Sequence, residues 1–481
     1  MSQKMTARKG TYRRVPSLTL SAFVNLMAGK PNQHVRIEEP YDTLDVALCF
    51  QHYRAEACED LIHALSTTTR RVEIARVWFY PSNFYWNDHD SLEHRQRLER
   101  FADSVGNLPS LRVIQFVCQA GDHGQRRGPP LSLVSRILRK ARGLQRLLFD
   151  QFLFDGTGQD FQGFGAALST FPGRVLHIQK SCNIAPGKVT SFNINSILHA
   201  VSTLRELRQL NLGCWIDPAQ QPNGSYPPVV LPMLRQVLGL PHLHQFTIHD
   251  GVPKLTAPLA SVIQYYGRNL QCLIIHTRIN RAHDLQQLAR IIRGNSVIIT
   301  IQLLLHGPHS DETTECHMLP IVSALGKNAT LKSFQVKFLR ETSRLSPFSS
   351  DLMEQFAYVL ETKNMCLIKL TVDIYSGSYT ERRGYIMKRI ELYCKLNALG
   401  RMDHFKQPTC SRGAWIAKLN DCKGDVSCLY YFLAMNPSLV KNHGISAETH
   451  QDSNFLNKRV SARELTTAAD VEGARKSRKL S

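Results

Sequence analysis

One unit recurs along the chain: an amphipathic helix, a short polar turn, then a strand reading L-x-x-L-x-L. Three adjacent copies show it most clearly. Asn295-Ser-Val-Ile298-Ile-Thr-Ile301-Gln-Leu303 is followed by Asn328-Ala-Thr-Leu331-Lys-Ser-Phe334-Gln-Val336. The third is Asn364-Met-Cys-Leu367-Ile-Lys-Leu370-Thr-Val372. Each has an Asn and then apolar residues at plus three, plus six and plus eight. One helix and one short strand cannot hide their apolar faces by themselves. Such a unit is stable only when it leans on copies of itself, which restricts the fold to a stacked array.

Weaker copies run back toward the N-terminus. Taking the middle apolar position as an anchor gives Val77, Ile114, Leu147, Leu176, Leu210, Phe246, Leu273, Ile301, Phe334 and Leu370. The mean spacing is about 33 residues, longer than the 20–29 of short leucine-rich repeats. The copy at Leu176 is degenerate, with Gly173 where an apolar residue is expected, and Val46-Ala-Leu48-Cys-Phe50 is a candidate opening strand. Helical periodicity precedes the strands, as in Leu285, Leu288, Ala289 and Ile292 or Met353, Phe356, Ala357 and Leu360. The strands alternate with period two. The Asn ahead of each strand is expected to bond turn backbone that would otherwise be unpaired.

From about residue 44 to 375 this pattern resembles the ribonuclease-inhibitor-like leucine-rich-repeat superfamily. The resemblance implies an α/β solenoid with a parallel sheet on one face and helices on the other. A (β/α)₈ barrel, which also alternates strands and helices, is the structural alternative; it closes at eight units, against ten anchors here. Ankyrin repeats fit the period but lack T-P-L-H-x-A.

The expected organisation is a basic N-terminal arm at 1–37, the solenoid at 38–376 with about ten irregular repeats, a helical C-terminal cap at 377–442 and a disordered tail at 443–481. The cap carries Ile390-Glu-Leu-Tyr-Cys-Lys-Leu-Asn397, Trp415 and Tyr431-Phe-Leu-Ala-Met-Asn-Pro-Ser-Leu439. Its phrasing is similar to the tails of uncharacterised leucine-rich-repeat proteins of diatoms, which implies a lineage and not an activity.

Net charge is +20, but residues 1–37 hold seven Lys/Arg and no acid, and residues 381–481 hold 18 basic and 10 acidic residues. Most of the excess therefore lies outside the central region, which argues against a nucleic-acid footprint spread over the folded body. The acid-free start allows either a disordered arm or an organelle transit peptide; the arm is the preferred reading. Twelve Cys without a CxxC pair read as reduced thiols of an intracellular protein, cytoplasmic or nuclear. No apolar run reaches the roughly 18–20 residues needed to span a bilayer.

Catalytic motifs are missing from the sequence. Gly187-Lys188 and Gly326-Lys327 lack the rest of a phosphate-binding loop, and neither G-x-S-x-G nor H-E-x-x-H occurs. His306, His309, Glu312, Glu315, Cys316 and His317 crowd one loop, but their spacing matches no standard zinc pattern, so no metal and no cofactor is expected. The basic cluster Arg126, Arg127, Arg136, Arg139, Lys140, Arg142 and Arg146 is either a solvated helix face or a phosphate-contacting patch.

The solvent-facing middle positions of the strands are expected to be Gln115, His177, Asn211, Thr247, Gln302, Gln335 and Thr371, interrupted by Leu148 and Ile274. They would line one surface, polar and nearly uncharged, suited to a protein partner. The sequence thus points to a non-catalytic scaffold or adaptor that binds a macromolecular partner on its strand-lined face. Two alternatives stand beside it: a nucleic-acid-binding protein using basic tails and the Arg126–Arg146 patch, and a barrel-type enzyme.

Overall fold

The computed structural model describes residues 43–48, 55–67, 72–79, 92–118, 130–179, 182–184, 190–213, 230–249, 255–278, 282–306, 311–338, 348–372, 381–401 and 412–435. The N-terminal arm and the tail lie outside them, as do Arg126, Arg127 and His309.

Strand and helix alternate along the described residues, save where the short β5 and β7 follow another strand. The array opens with β1 (Thr43–Leu48), α1 (Ala55–Thr67), β2 (Ile74–Phe79), α2 (Leu92–Gly106), β3 (Val113–Cys118) and α3 (Leu131–Lys140). It continues through β4 (Arg146–Asp150), the short β5 (Leu153–Phe154), α4 (Gly158–Ser169), β6 (Val175–Ile178), the short β7 (Asn183–Ile184) and α5 (Ser191–Ser202). Next come β8 (Gln209–Leu212), α6 (Val230–Leu238), β9 (Gln245–Ile248), α7 (Ala257–Tyr266), β10 (Cys272–Arg278) and α8 (Ala282–Gly294). The last repeats are β11 (Thr300–His306), α9 (Asp311–Leu325), β12 (Ser333–Phe338), α10 (Ser350–Thr362) and β13 (Lys369–Val372), closed by α11 (Glu381–Ala398).

Eleven of these strands form one parallel sheet in the order β1-β2-β3-β4-β6-β8-β9-β10-β11-β12-β13, and β5 pairs with β7 beside it. The order is linear, with β1 and β13 at opposite edges. That overturns the closed eight-stranded barrel, and the barrel-type enzyme with it. Among the described residues the first strand is Thr43–Leu48, which contains the expected Val46 and Leu48; Cys49 and Phe50 lie outside them.

Nine of the ten anchors stand in one line across the sheet: Ile114 pairs with Leu147, Leu147 with Leu176, and so on through Leu210, Phe246, Leu273, Ile301, Phe334 and Leu370. The tenth, Val77, is corrected. Ala75 pairs with Ile114, and Val77 sits two residues further on beside Phe116. Both Ala75 and Val77 are fully buried. A two-residue slip keeps every side chain on its face, so alternation alone cannot choose between the two positions.

The core lies between sheet and helices. Anchors and the apolar stripes of the helices meet there, for example Phe334 and Phe356 or Leu273 and Leu288, all at most 1 % exposed. Around β4 the core is aromatic: Phe149 stacks on Phe116 at 5.4 Å and meets Phe152 edge-on at 5.1 Å. Helix starts are fixed by side-chain caps. Thr157 and Asp160 form a capping box on α4, and Thr190, Thr256 and Ser349 accept from the backbone N–H three residues on. Gly173 is explained by close approach. A Cβ there would lie 2.6 Å from the Gln145 carbonyl oxygen and inside the Phe171 ring.

The asparagines do more than their own turns need. Asn328 Oδ1 accepts from Thr330 N at 2.9 Å and Leu331 N at 2.6 Å, while its Nδ2 donates to Ile292 O at 2.7 Å and Asn295 O at 3.2 Å in the preceding repeat. Asn364 repeats the scheme, accepting from Cys366 N and Leu367 N and donating to Leu325 O at 2.6 Å and Asn328 O at 3.1 Å. Each links two neighbouring repeats through the polar turn.

Helix α11 finishes this ladder without a strand. Its Asn397 donates to Asn364 O at 3.1 Å and Leu367 O at 2.9 Å. Arg401, 1 % exposed, donates to Leu360 O at 2.6 Å near the C-terminal end of α10, where unpaired carbonyls and the helix dipole favour a cation. Arg389 grips Glu354 and Glu361 of α10. Ile386, Ile390 and Leu396 of α11 are all at most 1 % exposed.

The described residues Arg412–Met435 belong to a separate compact unit. Its described part holds α12 (Arg412–Asp421) and α13 (Val426–Met435), with Cys422, Cys428 and Phe432 buried.

Candidate interaction face

Strand side chains alternate between the helix-covered core and the opposite face. Pairing register shows which residues share a row on that face. Gln115 pairs with Leu148, Leu148 with His177, His177 with Asn211 and Asn211 with Thr247; Thr247, Ile274, Gln302, Gln335 and Thr371 follow in the same line. All seven polar positions expected from the sequence therefore fall in one row, with Leu148 and Ile274 as apolar members. Arg76 of β2 extends it beside Gln115. The slipped anchor at Val77 had hidden that residue; placing the smaller Ala75 in line with Ile114 would have revealed it.

Most of the row is half-buried, as expected of a sheet face flanked by equal neighbours. Thr247 is 4 % exposed and is not solvent-facing as expected. Its short side chain stands between the longer Asn211 and Ile274. Gln335 donates to Ser333 Oγ at 3.3 Å on its own strand.

The centre of the row has the most unusual chemistry. His177 Nε2 and Asn211 Oδ1 are buried and find no hydrogen-bond partner among the described residues. Burial pushes the His177 imidazole down to about 4, with the Arg146 guanidinium adding to the effect. The ring is therefore neutral near pH 7, with one nitrogen a donor and the other an acceptor. On the same face, one step further along the strands, the rings of His249 and His276 stack with centroids 4.0 Å apart.

The basic cluster does not assemble into one patch. Arg136 forms a bidentate pair with Asp103, both bonds 2.7 Å, and reaches Glu99 at 2.9 Å, so it ties α3 to α2. The Arg136 hydrogen bond holds the Asp103 carboxyl below the usual range. Arg139 donates to Gly163 O at 3.4 Å, and Lys140 is exposed near the end of α3. Arg142 lies in the following turn, and Arg146 begins β4 on the strand face, beside Val113 and Val175. Arg126 and Arg127 are outside the described residues.

Among the described residues no group of three or more His, Cys, Asp or Glu is placed to hold a metal ion. Among them, too, no helix is long and apolar enough to cross a membrane. No disulfide is formed among the described cysteines. Burial pushes Cys182 up to about 12 and Cys394 up to about 11, which makes them poor nucleophiles; Cys316 is exposed. On the helical side, a groove of about 490 Å³ between α2 and α3 is lined by the Arg136–Glu99–Asp103 network, and one of about 810 Å³ between α6 and α7 by Arg235, Tyr265, Tyr266 and Arg268.

An open parallel sheet, one helix per strand on one side, anchors in a single line and a turn ladder joining the copies define an α/β solenoid of leucine-rich-repeat type. No family model matches the chain, and no curated protein matches it. Among solved structures, the chain is similar to the leucine-rich repeat-containing protein LegL7 from Legionella pneumophila. Identity is 10 %, covering 72 % of this chain and 98 % of that one, with a TM-score of 0.42. A second likeness, to actin-binding site 2 of leiomodin-1, has 13 % identity, covers 47 % of this chain and 100 % of that one, and has a TM-score of 0.25.

Proposed function

We propose that the chain is a non-catalytic scaffold or adaptor that binds a protein partner on the strand-lined face. One observation carries this reading: a row of Gln, Asn, His and Thr side chains crossing nine strands in one register, with unpartnered buried polar atoms at its centre. A buried donor or acceptor without a partner costs about 1–3 kcal/mol. A protein chain laid across the row finds polar contacts at the half-buried Gln115, Gln302 and Gln335 and apolar contacts at Leu148 and Ile274. The near absence of charge suits a protein surface. The wider organisation we propose is a basic arm before residue 38, the solenoid, a helical cap over residues 377–442 and a tail after 442, in an intracellular protein.

The test places a photo-crosslinking amino acid at Gln115, Gln302 or Gln335 in the full chain, with Lys388 on α11 as the reference site. Discrete crosslinked species are expected from the row and not from Lys388, and His177→Arg together with Asn211→Arg should abolish them. Identical patterns from all sites, or crosslinks that survive the double substitution, would sink the proposal.

A further inference from the structure

We infer that the edge of the sheet where the strands begin is a second surface, independent of the strand-face row, and that it binds a single-stranded nucleic acid.

The residue two before each anchor is held in a backbone ladder of its own. Gln145 N donates to Arg112 O, Arg174 N to Gln145 O, Arg208 N to Arg174 O, His244 N to Arg208 O and Gln271 N to His244 O. Arg112, Arg174 and Arg208 are thereby set on parallel rungs, and all three are exposed. Strands lie about 4.8 Å apart, so the five steps from β3 to β10 cover about 24 Å.

The turns entering these strands, residues 107–112, 141–145, 172–174, 203–208, 239–244 and 267–271, hold six Arg and one acid, Glu206, with no Lys or Asp. No ion pair involves Arg112, Arg142, Arg174, Arg205 or Arg208 among the described residues. This contrasts with Arg136 and Arg389, which carboxylates neutralise. The bias stops where the asparagine ladder starts: residues 295–300 carry no charge.

A row of unpaired guanidiniums on rigid rungs matches a regular polyanion, since Arg binds phosphate oxygens bidentately. What separates nucleic acid from an acidic peptide is the end of the row. His244 Nδ1 lies 3.4 Å from Asn269 O, and Asn269 and Arg268 line the groove that also holds Tyr265 and Tyr266. Tyr265 is 70 % exposed, and Arg235 lies over the Tyr266 ring at 5.6 Å. Aromatic faces beside arginine suit an unpaired base, which stacks on them while the backbone follows the charges. A duplex offers no such free base. In the sequence Arg174 lies 62 residues after Arg112 and Arg208 another 34 further on, and only the stacking of repeats brings them onto one edge.

The experiment measures binding of the full chain to a fluorescein-labelled 20-nucleotide oligo-dT by anisotropy across a salt series. The triple variant Arg112→Gln/Arg174→Gln/Arg208→Gln removes three charges that make no described contact, so folding should persist. The charge-matched control Arg293→Gln/Lys327→Gln/Lys388→Gln leaves the basic arm and total charge equal. The expected result is at least about tenfold weaker binding for the first variant only, with the log–log salt slope smaller by about 2. Tyr265→Ala should weaken binding several-fold with the slope unchanged. Equal losses in both triple variants would overturn the inference. So would tighter binding of a duplex of the same sequence, full competition by poly-glutamate at equal charge, or no binding at low salt.

Discussion

At the residue scale, an asparagine amide satisfies four backbone groups at once in a turn too tight for ordinary secondary structure. Asn364 is 1 % exposed and accepts two N–H bonds within its own turn while donating to two carbonyls of the repeat before it. Asn295 keeps its bonds to its own turn, to Val297 N, Ile298 N and Ile298 O. Asn364→Ala should therefore cost about 3 kcal/mol or more, by leaving buried groups unpaired in two repeats, and Asn295→Ala about 1 kcal/mol. Denaturant melts of the two variants check this; equal losses would mean that the links between repeats contribute little.

His177 makes a second residue-scale prediction. Its folded pKa, about 4, lies below the unfolded value of 6.5. The unfolded chain therefore takes up a proton in this window that the folded chain refuses. Stability from this group is complete above about pH 6.5 and declines as pH falls toward 4, by at most about 3 kcal/mol. Thermal melts between pH 4 and 7 should show a shallower pH dependence for His177→Gln than for the parent chain.

At the element scale, strand and helix divide the work through their periodicities. Period two sends anchors such as Ile301 and Leu303 into the core and Gln302 to the opposite face. Spacing of three and four puts Leu285, Leu288 and Ile292 on one stripe of α8. These rules act within a few residues, so nine strands and their polar row could be read from the sequence. They failed at β2, where Ala75 and Val77 are both apolar and a two-residue slip changes no face. They also failed to foresee Thr247, whose exposure depends on the lengths of its neighbours in other strands.

At the scale of the whole molecule, a solenoid has ends, and its last sheet edge needs covering. Helix α11 covers it, adding Ile386, Ile390 and Leu396 to the core and Asn397 and Arg401 to the turn ladder. A chain ending at residue 376 should lose this cover. Three side chains worth about 1.5–3 kcal/mol each go with it. Amide exchange in β13 and α10 should then accelerate at least about a thousandfold, while β3, toward the other end of the sheet, stays protected. Uniform acceleration would mean that the array unfolds as one unit; none at all would mean that α11 caps nothing.

The sequence alone determined the repeat, the core anchors, the strand-face row and the role of Asn in its own turn, because each depends on a pattern no longer than one unit. Only the tertiary structure decided the barrel question, the bonds Asn328 and Asn364 send into the previous repeat, the neutralisation of Arg136 and the alignment of Arg112, Arg174 and Arg208. Those are relations between units about 33 residues apart, and the distance between two side chains on different repeats is fixed by strand pairing, which no local periodicity encodes.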